Sequence, residues 1–301
     1  MVVCLGAGVL NDIPYSTLVE SGATIHLVDW LPGAIDWGLG QSVIRRGNGG
    51  SPDCVYCHLN EACAKVYCRQ FLGAVAPGRG VCDQFVPKPD EPFVCVAFER
   101  GEQPIIHERD VTAGYASAFG EGVLKVLRDV GSWRQALRQA RALAKRVGRY
   151  RDSLDIPDGR TDLVISSMLV SQFEHEPYEY FSRQAAALLG APTPQEERYL
   201  RTALDKLRST LLTDQVSRHC DEIHRMLAPG GRCFVSFELF RFDPHLGRWF
   251  LVKEMHKVLE LLARRFDFNL DVVPEPDSLT RFQSGDGASA VLSLVLEPVT
   301  R

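Results

Sequence analysis

Residues 1–30 read MVVCLGAGVLNDIPYSTLVESGATIHLVDW, and this stretch decides the fold class. Val2-Val3-Cys4-Leu5 is a short apolar run of the kind found in strands buried on both faces. Gly6-Ala7-Gly8 follows at once, where a missing Cβ lets the backbone turn sharply and approach a ligand. The pattern predicts a helix over Asp12 to Glu20, with Pro14 near its first turn and Ser21-Gly22 as its stop. Thr24-Ile25-His26-Leu27-Val28 then makes a second strand that ends on Asp29. This is half of a nucleotide-binding α/β unit, and a carboxylate at that strand end is placed to accept hydrogen bonds from both hydroxyls of a ribose. The dinucleotide fingerprint asks for a third glycine, and Leu10-Asn11 stand near its position. A tight βα turn with no ligand is the plainer reading of the same residues.

Length and composition bound the rest. A chain of 301 residues, 45% of them hydrophobic, can bury a sizeable core, and 1–301 is read as one large domain with insertions, or as one domain plus a small cap. A net charge of −4 gives no global pull towards nucleic acid or an anionic membrane. No apolar run approaches the ~20 residues that span a bilayer, and no signal-peptide pattern precedes the first strand. The expectation is a soluble, cytoplasmic protein without membrane association. Nine cysteines, an odd number, suit cytosolic thiols or metal ligands better than a secreted disulfide framework.

Past Asp29, Trp30-Leu31-Pro32-Gly33-Ala34 turns towards a short helix. Gly38 to Pro92 does not fit a compact βα unit: it holds Gly47-Asn48-Gly49-Gly50, a cysteine cluster and a run of prolines, and is read as an insertion. Phe93 to Phe98 and Pro104 to Arg109 are strand candidates. Helical periodicity runs from Phe119 to Tyr150, broken near Gly131-Ser132, where Ser132 can cap the second helix. Arg134, Arg138, Arg141, Lys145, Arg146 and Arg149 make that second helix strongly basic; it reads as a solvated face or, more sharply, as an anion or nucleic-acid surface. Asp162 to Ser167 is another buried strand. Pro194 to Leu227 is helical, with Pro229-Gly230-Gly231 as its stop. Cys233 to Phe237 is a strand, Lys253 to Phe266 an amphipathic helix and Ala290 to Leu296 a last strand. Strands and helices alternating to this length predict an α/β fold with a mostly parallel sheet.

Five segments in order narrow this further: Val3-Cys4-Leu5-Gly6-Ala7-Gly8, Leu27-Val28-Asp29, Arg109-Asp110-Val111, Asp162-Leu163-Val164-Ile165-Ser166, and Met226-Leu227-Ala228-Pro229-Gly230-Gly231-Arg232-Cys233-Phe234-Val235. Together they resemble the class I, Rossmann-like S-adenosylmethionine-dependent methyltransferases from Met1 to about Phe237, and the last helix and strand fit that family's terminal hairpin. The resemblance implies a Rossmann-like, mostly parallel sheet with helices on both faces and an antiparallel C-terminal strand, and S-adenosyl-L-methionine as cofactor. It implies that Gly6 and Gly8 face the amino-acid part of the cofactor, that Asp29 holds the ribose and that Trp30 lies against the adenine. Asp110 would accept from the adenine amino group, the Val111 amide would meet a ring nitrogen, and Ser166 would sit beside the methyl group. Two positions depart from the family. Cys4 stands where an acid is usual, with Asp12 as a substitute contact for the cofactor's ammonium, and the third glycine is absent.

Methyl transfer from a sulfonium is an in-line displacement, so the protein mainly aligns a nucleophile and excludes water. The Asn- or Asp-Pro-Pro-aromatic turn of many nucleobase amino methyltransferases is missing after Ser166, where the chain reads Ser167-Met168-Leu169-Val170. Beyond it, His175 or Glu174 could serve as general base or substrate orienter, with Tyr178 lining the pocket; an ordinary surface turn accounts for them equally. The chain opens inside its first strand, so the insertion 38–92 and a helical insertion at 174–212 are expected to cover the substrate. In the former, Cys54, Cys57, Cys63 and Cys68 suit zinc or an iron–sulfur cluster by ligand type, although their spacing matches no common zinc ribbon; packing as small hydrophobes is the alternative. The leading expectation is methyl transfer to a small-molecule acceptor, with nucleic acid disfavoured and a homo-oligomer open. An NAD(P)-dependent oxidoreductase and a non-catalytic binding module whose cysteines sense metal or redox state are the competing readings.

Overall fold

The computed structural model describes residues 1–7, 13–29, 35, 104–149, 152–170, 172–173, 175–252, 254–269, 274–284 and 287–299. They belong to two compact units, Met1–Arg109 with Thr161–Ile165, and Asp110–Arg160 with Ser166–Arg301. Among the described residues, no helix is long and apolar enough to cross a membrane.

In the first unit, β1 (Val2–Leu5) and β2 (Ile25–Asp29) flank helix α1 (Tyr15–Glu20). The two strands pair in parallel, Val2 opposite Ile25 through Leu5 opposite Val28. β3 (Ile105–Glu108) pairs in parallel with the outer side of β2, placing Glu108 opposite Asp29. Val3, Cys4, Leu5, Leu27 and Val28 are fully buried, as expected of strands covered on both faces. With β4 (Thr161–Ser167), β5 (Leu227–Asp243), β7 (Phe266–Asp267) and β9 (Gly287–Pro298), the sheet order is β3-β2-β1-β4-β5-β9-β7; β6 (Arg248–Leu251) pairs with β5 and β8 (Thr280–Ser284) with β9. β4 (Thr161–Ser167) is shared, with 161–165 in the first unit and its last two residues in the second.

The second unit carries the helices α2 (Tyr115–Leu127), α3 (Trp133–Val147), α4 (His175–Leu189), α5 (Pro194–Met226) and α6 (Met255–Ala263). Ser132 starts α3 by accepting a hydrogen bond from the Gln135 amide, and Trp133, Ala136, Leu137, Ala140, Leu143, Ala144 and Val147 form its buried stripe at helical spacing. α5 opens on a full capping box between Thr193 and Glu196, with Pro194 in its first turn. α2 to α5 share a core built on Tyr115, Phe119, Phe181, Leu207 and Leu211. β5 (Leu227–Asp243) runs antiparallel to β9 (Gly287–Pro298), which in turn pairs antiparallel with β7 (Phe266–Asp267) and β8 (Thr280–Ser284). Along β9, Leu292, Leu294 and Leu296 are buried while Ser293, Val295 and Glu297 are exposed, the alternation of a sheet with one wet face.

The α/β class and the antiparallel C-terminal strand thus agree with the sequence. Two local expectations change. The long helix ends at Met226 because Leu227 already adopts extended angles (φ −64°, ψ 131°), so Pro229-Gly230-Gly231 lies at the start of β5, not in a helix-stop turn. Ala228 precedes a proline and is thereby kept out of the helical region. The hairpin from β5 to β6 (Arg248–Leu251) was not foreseen: the Asp243 carboxylate accepts from the His245 and Leu246 amides, and Gly247 takes φ 60°.

The α2–α3 contact yields a stability prediction. A Cβ on Gly122 would lie 2.5 Å from Leu143 Cδ1 and 3.2 Å from its Cγ, and Leu143 is itself buried. Gly122→Val is expected to lower unfolding stability by about 1–3 kcal/mol through overpacking, despite the loss of a flexible glycine. Urea unfolding of the full chain checks this; an unchanged or higher midpoint would contradict a tight crossing at this position.

Candidate functional site

The first unit gathers polar groups at the carboxyl ends of its parallel strands, where ligands bind in open α/β sheets. β1 ends in Gly6 at φ 66°, a left-handed conformation that favours glycine. The Gly6 and Ala7 amides both donate to the Val28 carbonyl, at 2.9 and 3.1 Å, pinning the turn to the end of β2. Asp29 closes β2; it is half-buried, and its carbonyl accepts the Arg109 amide at 2.9 Å. Cys4 faces the interior of β1, and burial pushes its thiol up to about 12, so it remains an uncharged packing group. Behind the strand ends, His26 Nδ1 and His107 Nε2 lie 2.9 Å apart. Burial first, and then His107, hold His26 below its ordinary value. Gly8, Asp12 and Trp30 lie outside the described residues.

The residues expected to meet the adenine and the methyl group have inward-facing partners in the second unit. One oxygen of Asp110 accepts from the Thr112 amide and hydroxyl, at 2.9 and 2.5 Å, and the other from the Ser117 amide and hydroxyl, both at 2.8 Å. Those four bonds fill the acceptor sites of a carboxylate, so Asp110 fixes the start of α2 and has none left for an adenine amino group. Val111 is buried, its backbone turned towards His219. Ser166 is likewise fully buried, and its hydroxyl shares a 2.7 Å hydrogen bond with His219 Nε2. The hydroxyl is thereby committed to α5.

On the acceptor side, His175 begins α4 with an exposed side chain, its amide donating to the Gln172 carbonyl at 2.9 Å. Tyr178 belongs to the buried helical core instead of a pocket wall, with the Arg208 guanidinium 3.8 Å above its ring. Glu174 and the cysteines Cys54, Cys57, Cys63 and Cys68 lie outside the described residues, as does the insertion 38–92. Among the described residues, no group of three His, Cys, Asp or Glu side chains is placed to hold a metal ion.

The sequence reading missed a polar stripe on α5, formed by Gln215, Arg218, His219 and Glu222, all buried. Their spacing of three and four residues was the available signal, since such positions share one helix face. Gln215 donates to the Phe173 carbonyl at 2.5 Å. Arg218 donates to the Ala113 and Val147 carbonyls at 2.9 and 3.3 Å and sits over the Tyr115 ring. Burial raises Asp214 above its ordinary value, with Arg218, Tyr115 and Lys145 pulling the other way. The stripe ties the loop after β4, the start of α2 and the end of α3 to one helix.

No protein-family model matches the chain, and no curated protein is significantly similar to it. By structure it is similar to a SAM-dependent methyltransferase from Methanosarcina mazei, at 11% identity and a TM-score of 0.37, over 98% of this chain and 89% of the other. It is similar to the same degree, 11% and 0.37, to the PH0226 protein from Pyrococcus horikoshii OT3, over 99% of this chain and 82% of that one. At these values neither likeness assigns an activity to this chain or a role to its residues.

The Ser166–His219 pair makes stability depend on pH. Burial lowers His219 from 6.5 to about 4, with a smaller opposing contribution from the Val111 backbone. Folding thus favours the neutral ring, so the contribution is complete above pH 6.5 and is lost as pH falls towards 4, and it is worth about 3 kcal/mol in full. His219→Gln keeps a polar partner for Ser166 and removes the titration. It is expected to flatten the loss of unfolding free energy between pH 6.5 and 4 relative to wild type, measured by urea unfolding at each pH. An identical slope in both proteins would place the acid-labile group elsewhere.

Proposed function

We propose that the protein transfers a methyl group from S-adenosyl-L-methionine to a nucleophilic atom of a small-molecule acceptor. The observation that carries this reading is the antiparallel β9 between β5 and β7. A dinucleotide-binding sheet is built from two parallel halves in the order 3-2-1-4-5-6, each holding one mononucleotide. Here the half formed by β1, β2 and β3 is parallel, whereas the strand beyond β5 is reversed. One adenosyl group suits such a sheet better than two nucleotides do. The reversed strand is also the feature implied by the methyltransferase resemblance of the sequence.

The residues at the ends of β1 and β2 fit that cofactor chemically. The left-handed turn at Gly6 keeps side chains away from the end of β1. Asp29 supplies a carboxylate acceptor for a ribose diol, with Glu108 opposite it in register. When bound, the cofactor supplies an electrophilic methyl carbon and its sulfur leaving group. The protein's part is to hold the ribose at Asp29, orient the acceptor in line and exclude water. His175, exposed at the start of α4, is proposed as the group that takes the acceptor's proton where the acceptor carries one. A net charge of −4 favours a small acceptor over a polyanionic one as the substrate.

Calorimetry on the full chain is expected to show binding of S-adenosylmethionine or its demethylated product and none of NAD or NADP. Asp29→Ala should weaken that binding by about 1.5–3 kcal/mol, the scale of hydrogen bonds to a charged group. Tight binding of a nicotinamide dinucleotide without the sulfonium compound would overturn the reading in favour of an oxidoreductase. Unchanged affinity in Asp29→Ala would move the ribose away from β2.

A further inference from the structure

The basic helix α3 forms one wall of a groove whose other wall is α5. The groove encloses about 660 Å³. Trp133–Val147 carries five cations and no acid. Four of these, Arg134, Arg138, Arg141 and Lys145, recur every three or four residues and so share one face, over about 16 Å of helix length. All four line the groove, Lys206 faces them from α5, and no carboxylate is among the lining side chains. In a chain of net charge −4 this is a local concentration of one sign, not a reflection of composition.

Two further features separate the groove from an ordinary solvated helix face. The Nε of Arg141 is buried without a protein hydrogen-bond partner, a donor open to a water, an ion or a ligand. Tyr199 stands on the α5 wall 66% exposed, its ring held by the Arg134 guanidinium 5.2 Å from the centroid and by a hydrogen bond from Arg134 to its hydroxyl. An exposed, oriented ring beside a line of cations is the combination that binds single-stranded nucleic acid: cations track the phosphates while a base stacks on the aromatic face. A duplex offers phosphates but keeps its bases stacked inside, and an acidic peptide has no flat ring system for Tyr199 to meet.

We infer that the α3–α5 groove is a binding site for a single-stranded RNA or DNA segment, held by Arg134, Arg138, Arg141, Lys145 and Lys206 through its phosphates and by Tyr199 through a base. The inference is independent of the methyl-transfer reading and does not make nucleic acid the methyl acceptor.

Fluorescence anisotropy of a labelled single-stranded RNA of about 12 nucleotides, within the site sizes of such grooves, tests it on the full chain. With four or five phosphate contacts, affinity should fall about 100-fold between roughly 50 and 200 mM salt. The exposed pair Arg138→Gln/Lys145→Gln should reduce the log–log salt slope by about 1.4, or 0.7 per lost contact. Tyr199→Leu should weaken binding about 5- to 100-fold with the slope unchanged. Circular dichroism matched to wild type confirms that these surface variants fold, and Asp29→Ala should bind the RNA as wild type does. Absence of binding at low salt, or a double variant with wild-type affinity and slope, would overturn the assignment. So would tighter binding of a duplex or of a polyglutamate peptide.

Discussion

An antiparallel strand occupies the position next to β5, and most of the architecture follows from that one pairing. β9 registers against β5 from Cys233–Leu296 to Phe242–Ala288, with an irregularity between Glu238 and Phe240. Its hydrogen bonds saturate the β5 edge, so no further parallel βαβ unit can be added there. The buried leucines of β9 and the buried Cys233, Val235, Phe237 and Leu239 of β5 set the register, since a shift of one residue would turn the apolar set towards water. The sheet therefore keeps one parallel half at β1, β2 and β3 and an antiparallel one beyond β5.

Within the second unit, α5 performs the complementary task with polar groups. Gln215, Arg218 and His219 would be costly to bury without partners. Each meets a group in a loop or at the end of an element: the Phe173 carbonyl, the Ala113 and Val147 carbonyls, and the Ser166 hydroxyl. Removing a partner of the Phe173 carbonyl or the Ser166 hydroxyl leaves a buried polar group unsatisfied, so the stripe constrains the loop after β4.

Much of the fold was legible because it rests on local patterns. The apolar run Val2–Leu5, the Gly6 turn and Asp29 at the end of the next strand were readable, as was the break at Gly131-Ser132 with Ser132 as cap. The capping box at Thr193 and Glu196 was equally readable and went unused. β6 and β8 were missed because they are short, largely exposed strands with no buried alternation to mark them, although each forms a hairpin with a neighbour in sequence. The site was less legible than the fold. The resemblance marks Asp110 and Ser166 as candidates for ligand contact, but only three-dimensional placement reveals that the start of α2 uses both Asp110 oxygens and that His219 holds Ser166. Tyr178 looked like a pocket aromatic for a similar reason: its place in the helical core, with Arg208 over its ring, is set by contacts distant in sequence.

The central claim is that an adenosyl cofactor sits at the carboxyl ends of β1 and β2. Hydrogen–deuterium exchange of the full chain, with and without saturating S-adenosylmethionine, tests it most directly, because protection is read peptide by peptide. The account predicts slowed exchange in peptides that contain the turn after Leu5 and the end of β2 at Asp29, with little change along α3. Protection confined to other segments, or none at a concentration where binding is saturated, would contradict it.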